Sequence, residues 1–165
     1  AITELDDFEG TRDAGRDIRQ DVLDDLDGWL LMFEENAKKR GAKPLARMVA
    51  QASNAHEPEW FTTAPVGAIQ KVLAKAGWKA GDVDLYEVNE AFAVVTMAAM
   101  KDIGIPHDKV NVNGGAVAMG HPIGATGARI MTTLIYALKK RGLKKGVAAL
   151  CIGGGEATAV ALEVL

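Results

Sequence analysis

Residues Val147 to Ile152 read Val-Ala-Ala-Leu-Cys-Ile, a run without one polar side chain. A strand with one face in water alternates apolar and polar positions, so an unbroken run of this length belongs to a central strand covered on both faces. The chain must therefore supply structure on each side of a sheet. Pro65 stands in the first turn of a helix running to Gly77, with Val66, Ile69, Val72, Leu73 and Ala76 on one face. Ala91 to Lys101 reads as a second helix. Its Ala91 to Met100 stretch is apolar almost all round, the composition of a helix buried on every side. Pro122 opens a third helix, with Ile123, Gly127, Ile130, Met131, Leu134, Ile135 and Leu138 on one face. Trp29 to Phe33, Pro44 to Gln51, Leu85 to Val88 and Thr158 to Leu165 have strand character, and Val110 and Val112 sit in a short extended piece. Glu34 to Gly41 reads as a short helix closed by Gly41, and Asn54 to Ala64 as a polar loop. Strands and helices alternate, so the class is α/β, a sheet between helices.

The 165 residues suit one domain, which at this size buries enough surface to fold without disulfides or a structural metal. Charge is uneven. The first 28 residues hold ten acids and three arginines, a net of −7, and the other 137 carry +4. Residues 1–28 are thus expected to be a separate acidic segment, solvated, with a short helix over Arg16 to Leu26, and 29–165 the folded domain. That segment has neither a basic start nor an apolar core, so no signal peptide is expected. A net charge of −3 gives no reason to expect nucleic acid, and no apolar run reaches the roughly 20 residues of a membrane span. Cys151 is the single cysteine, which fits a reducing compartment and a cytoplasmic location. His56 and His107 have no second ligand at zinc spacing, so no metal is expected.

Three segments have the residue types of a reactive site. Asn89-Glu90-Ala91-Phe92-Ala93 sits where a strand hands over to a helix, the carboxyl edge at which open α/β sheets bind ligands. The plainer account is that Asn89 caps the helix and Glu90 complements its dipole. The second segment, Gly114 to Arg129, packs five glycines into fourteen residues and places His121 directly before Pro122. At a helix start a histidine is held neutral, as a base or a hydrogen-bond donor. No Gly-Lys-Ser/Thr occurs, which excludes a P-loop, and no G-x-G-x-x-G directly follows a strand. The third is Cys151-Ile152-Gly153-Gly154-Gly155. A free cysteine is usually a small buried hydrophobe, but three following glycines open backbone N–H groups toward an oxyanion. Both readings stand.

Taken jointly and in this order, N-E-A-F, G-G-A-x-A-x-G-H-P-x-G-x-x-G-x-R and C-x-G-G-G resemble the C-terminal half of a thiolase, over roughly residues 29 to 165. Ketoacyl synthases share the fold without the closing Cys-Gly-Gly-Gly. The resemblance implies a three-layer α-β-α half with a mixed, roughly five-stranded sheet. It implies Claisen condensation or thiolysis of acyl-CoA thioesters with no further cofactor. His121 would activate a nucleophilic cysteine and bind the thioester oxygen. Cys151 would move the proton at the second substrate's α-carbon. Asn89 would hold a water that completes an oxyanion hole with His121. The Gly153 N–H would serve a second hole, and Ala91 and Phe92 would line the pantetheine channel. The family carries its acyl-accepting cysteine in an N-terminal half, and this chain has no second cysteine. The chain alone is therefore expected to be inactive, and to work with an N-terminal half or as a homo-oligomer. The competing reading is a non-catalytic CoA- or acyl-binding or interaction subunit.

Overall fold

The computed structural model describes residues 38–41 and 43–165, and the chain divides after Pro44 into two compact units. In the first, Lys38 and Lys39 are helical, and Gly41, at φ +63, donates its N–H to the Lys38 carbonyl at 3.1 Å. The helix expected over Arg16 to Leu26, the strand at Trp29 to Phe33 and the boundary near Gly28 lie outside the described residues.

The second unit runs β1 (Ala46–Ala55), α1 (Ala64–Ala76), β2 (Leu85–Val88), α2 (Ala93–Ile103), α3 (Ala116–Met119), α4 (Thr126–Arg141), β3 (Lys145–Ile152) and β4 (Glu156–Val164). The strands form one sheet in the order β1-β4-β3-β2. β1 and β4 pair antiparallel, as do β3 and β4, while β2 and β3 run parallel, so the sheet is mixed as expected. Four strands are seen among the described residues. At the fifth position Val110 makes a single parallel bridge to Tyr86. The polar loop expected at Asn54 to Ala64 is shorter, because β1 reaches Ala55 and Pro58–Thr63 coils into a 3-10 turn.

Two layers of helix cover the sheet. On one face Ile69, Val72 and Leu73 of α1 and Val95 and Ala99 of α2 pack on Tyr86, Val88, Val147 and Ala149. On the other, Ile130, Leu134 and Leu138 of α4 pack on Leu85, Ala148 and Leu162. β3 is the shared wall: between Gly146 and Cys151 its odd residues face α1 and α2, its even residues face α4, and both sets are apolar because both faces are covered. A β-carbon on Gly146 would collide with Leu134 and Leu138, so α4 lies close against β3. Glycines Gly77, Gly104 and Gly142 close α1, α2 and α4 in the left-handed conformation usual at helix ends.

Candidate active site

The site is built on the α4 side of β2. Alternation puts Leu85, Glu87 and Asn89 on that side, with Tyr86 and Val88 on the other. Asn89 is buried, and its N–H donates to the Ala149 carbonyl at 2.8 Å, carrying the ladder one residue past the end of β2. It does not cap α2. That helix begins at Ala93 behind Phe92, with no side-chain cap. Instead Arg129 Nη2 donates to Asn89 Oδ1 at 3.2 Å, and Asn89 Nδ2 lies 3.5 Å from His121 Nδ1.

His121 is exposed and stands five residues before α4, whose first residue is Thr126; it is not at a helix start. Pro122 does not open the helix. It opens a turn closed by the Ala125 N–H on the Pro122 carbonyl at 2.8 Å, and Ile123 is left 84% exposed. The ring is held by Thr126, whose Oγ1 lies 2.7 Å from His121 Nδ1 and 3.0 Å from the Pro122 carbonyl. A hydroxyl has one proton to place. Given to Pro122, it leaves Thr126 accepting from Nδ1–H, and Nε2 is a base. Given to Nδ1, it leaves the imidazole proton on Nε2, a donor for a developing oxyanion.

Glu90 has a different task. Its Oε1 accepts from Asn111 Nδ2 at 2.9 Å and its Oε2 from the Val117 N–H at 3.0 Å, in the first turn of α3. Gly115 is required here, because a β-carbon would enter the Glu90 carboxylate. Asn111, at φ +47, also accepts from the Val88 N–H and donates to the Val88 carbonyl, both at 2.9 Å. Its side chain thus takes the place of a neighbouring strand.

Glu87 and Arg129 complete the layer. Glu87 is 1% exposed, and burial pushes its carboxyl up to about 7, against the pull of Arg129 and with a further push from Glu90. Among the described residues Glu87 Oε1, Arg129 Nε and Arg129 Nη1 are buried without a hydrogen-bond partner.

Cys151 makes no hydrogen bond to the pair among the described residues. It follows Val147 and Ala149 on the α1 and α2 side of β3, whereas Asn89 reaches Arg129 on the α4 side. Burial pushes its thiol up, opposed only by its own backbone, and among the described residues no hydrogen bond links it to Asn89 or His121. The glycines after it form the β3–β4 hairpin tip. Gly155, at φ +97, gives its carbonyl to the His56 N–H at 3.1 Å and has no room for a β-carbon beside the His56 carbonyl. Gly153 is exposed with open space where its side chain would stand. Ala91 is half-buried against the core, and Phe92 is exposed with its ring edge-on to Phe61, centroids 6.0 Å apart.

α2 is not buried on every side. Phe92, Val94 and Met97 are exposed, as are Val117, Met119 and Ile123 nearby in sequence. A separate cavity of about 670 Å³ between α2 and residues 107–117 is walled by Met97, Met100, Val110, Val117 and Arg141, and excludes Asn89, His121 and Cys151. Among the described residues no group of three histidine, cysteine or acidic side chains could hold a metal, and no helix is long and apolar enough to cross a membrane.

Glu87, Asn111, Thr126 and Arg129 are the members that motif reading passes over. Glu87 had a signal, an acid inside an otherwise apolar strand. Arg129 and Thr126 lie within the glycine-histidine motif.

Residues 42–164 match the family model described as the thiolase C-terminal domain. The chain belongs to the thiolase family. It is 49% identical over 159 residues to the acetyl-CoA acetyltransferase of Shinella zoogloeoides, an alignment covering 96% of this chain and 40% of that protein. The cytosolic acetyl-CoA acetyltransferase of Mus musculus is 48% identical over 134 residues, 81% of this chain and 34% of its own. A crystal structure of the Bacillus anthracis acetyl-CoA acetyltransferase superposes with a TM-score of 0.78 at 48% identity, over 80% of this chain and 34% of that one. The chain thus spans about 40% of the length of the Shinella zoogloeoides protein and about a third of the other two.

Proposed function

We propose that this chain is the C-terminal half of a thiolase that condenses or cleaves acyl-CoA thioesters together with an N-terminal half carrying the nucleophilic cysteine. The observation that carries this reading is the Asn89–His121 pair at the sheet edge, held from beneath by Arg129 and Thr126. In condensation, the nucleophilic thiolate of the other half attacks acetyl-CoA, expels CoA and leaves an acyl-enzyme. His121 takes the thiol proton and then, through Nε2–H, stabilises the thioester oxygen beside a water on Asn89. The Cys151 thiol gives its proton to the departing CoA thiolate and, as a thiolate, then removes the α-proton of a second acetyl-CoA with the Gly153 N–H on that substrate's oxygen. The carbanion attacks the acyl-enzyme and releases the thiolate. Ala91 and Phe92 flank the pantetheine arm. No metal or further cofactor enters these steps. The exposed Phe92, Val94, Met97 and Val117 support a partner surface, which the N-terminal half or a second copy would cover. A cytoplasmic setting is the location we propose, as one relative is named cytosolic.

The raised Cys151 thiol, with no hydrogen bond to His121 or Asn89 among the described residues, favours one other reading, a CoA-binding or interaction subunit without turnover. The test is to incubate the 165-residue chain with acetyl-CoA, alone and with a separately expressed N-terminal thiolase half, and to assay acetoacetyl-CoA. Product only on mixing is the expected result. Product from the chain alone overturns the nucleophile assignment. CoA binding without product in the mixture favours the subunit reading.

A further inference from the structure

The layer between β2 and α4 holds a buried carboxyl, Glu87, and a guanidinium, Arg129, that the reaction steps above do not use. Glu87 and Asn89 point the same way from β2, two residues apart, and Arg129 comes down on them from the first turn of α4. An arginine side chain has five N–H donors and no acceptor. The Asn89 atom that meets Nη2 at 3.2 Å must therefore be the amide oxygen, and the amino group has to turn the other way, toward His121 Nδ1. Remove the guanidinium and nothing fixes which end of the amide faces the histidine.

We propose that Arg129, in the buried layer it shares with Glu87, is a positioning residue that orients the Asn89 amide so that its amino group, not its oxygen, faces His121. The inference rests on the thiolase reading of His121 for its meaning, but its geometry stands without turnover. Glu87 has no alternative use in the fold as an exposed or capping acid, since it is buried in mid-strand. Glu87 Oε1 and Arg129 Nε and Nη1 are buried in this layer without a hydrogen-bond partner, so the guanidinium is aimed by its hydrogen bond to Asn89.

The test is nitrogen NMR on the labelled 165-residue chain, reading the His121 Nδ1 and Nε2 shifts and the Asn89 side-chain amide, with N89A assigning the latter. In the unsubstituted chain the Asn89 amide protons should exchange slowly. In Arg129→Met they should exchange about tenfold faster or more, and the His121 Nδ1 shift should move as the amide turns. Arg129→Lys keeps the charge and one donor and should restore most of the signature. Unchanged Asn89 and His121 signals in folded Arg129→Met overturn the proposal, whatever its melting temperature. If Arg129→Met does not fold, Glu87→Gln decides: faster Asn89 exchange supports the proposal, and signals identical to the unsubstituted chain overturn it. With the N-terminal half added, Arg129→Met should lower kcat about tenfold or more with KM for acetyl-CoA within about twofold. A mixture that never turns over contradicts the thiolase reading and leaves the NMR result standing.

Discussion

The two faces of the sheet are built from the same strands and differ in what they bury. Against α1 and α2 the buried layer is apolar, with Thr96 its polar member, satisfied at 3.3 Å by the Val88 carbonyl. Against α4 the layer begins as apolar, with Leu85, Leu134 and Leu138. It ends at the sheet edge in Glu87, Asn89, Thr126 and Arg129, some of whose polar atoms have no partner. Buried polar atoms without partners destabilise a fold, so the α4 side gives up stability where the reactive groups sit, and the α1 side supplies it. Cys151 belongs to the stabilising face by its alternation, although the function proposed above gives it a part in the reaction.

The largest effect should fall on the apolar face. Ile69→Ala, at a fully buried position of α1, should lower unfolding free energy by about 2–5 kcal/mol in urea titration. The His121 NMR signals should not move. If they do, the faces are coupled and the division fails.

On the α4 side, pH should act through Glu87. Its carboxyl is raised from 4.5 to about 7, so the folded state prefers it protonated. The resulting stability is complete below pH 4.5 and is lost as pH rises through about 7, by up to about 3 kcal/mol. Glu87→Gln should flatten that loss. Arg129→Met should move it to higher pH, because Arg129 opposes the rise. A Glu87→Gln chain that keeps the full pH dependence would show that the charge cost lies elsewhere.

Asn111→Ala removes three hydrogen bonds at 2.9 Å to Val88 and Glu90. It should cost about 1–3 kcal/mol by thermal unfolding and loosen the Val88 and Val117 amides in hydrogen exchange. Protection unchanged at those amides would mean that Asn111 does not hold the edge of β2.

The smallest effect should appear at Cys151. Its raised thiol should react with iodoacetamide at neutral pH about tenfold or more below an unstructured cysteine, and His121→Ala should leave the rate within about twofold. A large change on His121→Ala would place the two side chains in contact and break the comparison.

Much of this fold was legible from apolar pattern alone. Leu85 to Val88 is β2 residue for residue, the Val147 to Ile152 run lies within β3, and Pro65 and Gly77 bracket α1 within a residue. Burial writes itself into such segments. The start of α4 did not: proline suits a first turn, but Pro122-Ile-Gly-Ala closes a turn instead, and the helix waits for Thr126. The motifs located Asn89 and His121, and the structure brings them together. The support beneath them was not legible, because a glutamate in a strand and an arginine in a glycine-rich motif give no sign of sharing one buried layer until α4 is laid across β2. Asn111 was missed for a related reason: its side chain pairs like a strand, and no local pattern encodes that.

The central claim is that the α4 face carries the chemistry of half a thiolase, and the most direct measurement is acetoacetyl-CoA formation in the mixture with an N-terminal half. The account predicts no product from the chain alone and product on mixing. Replacing His121 by alanine, or Asn89 by alanine, should lower that rate by about 10²–10³-fold, while Ile69→Ala, kept below its melting temperature, retains it. A His121→Ala mixture that condenses acetyl-CoA as fast as the unsubstituted one would contradict the account.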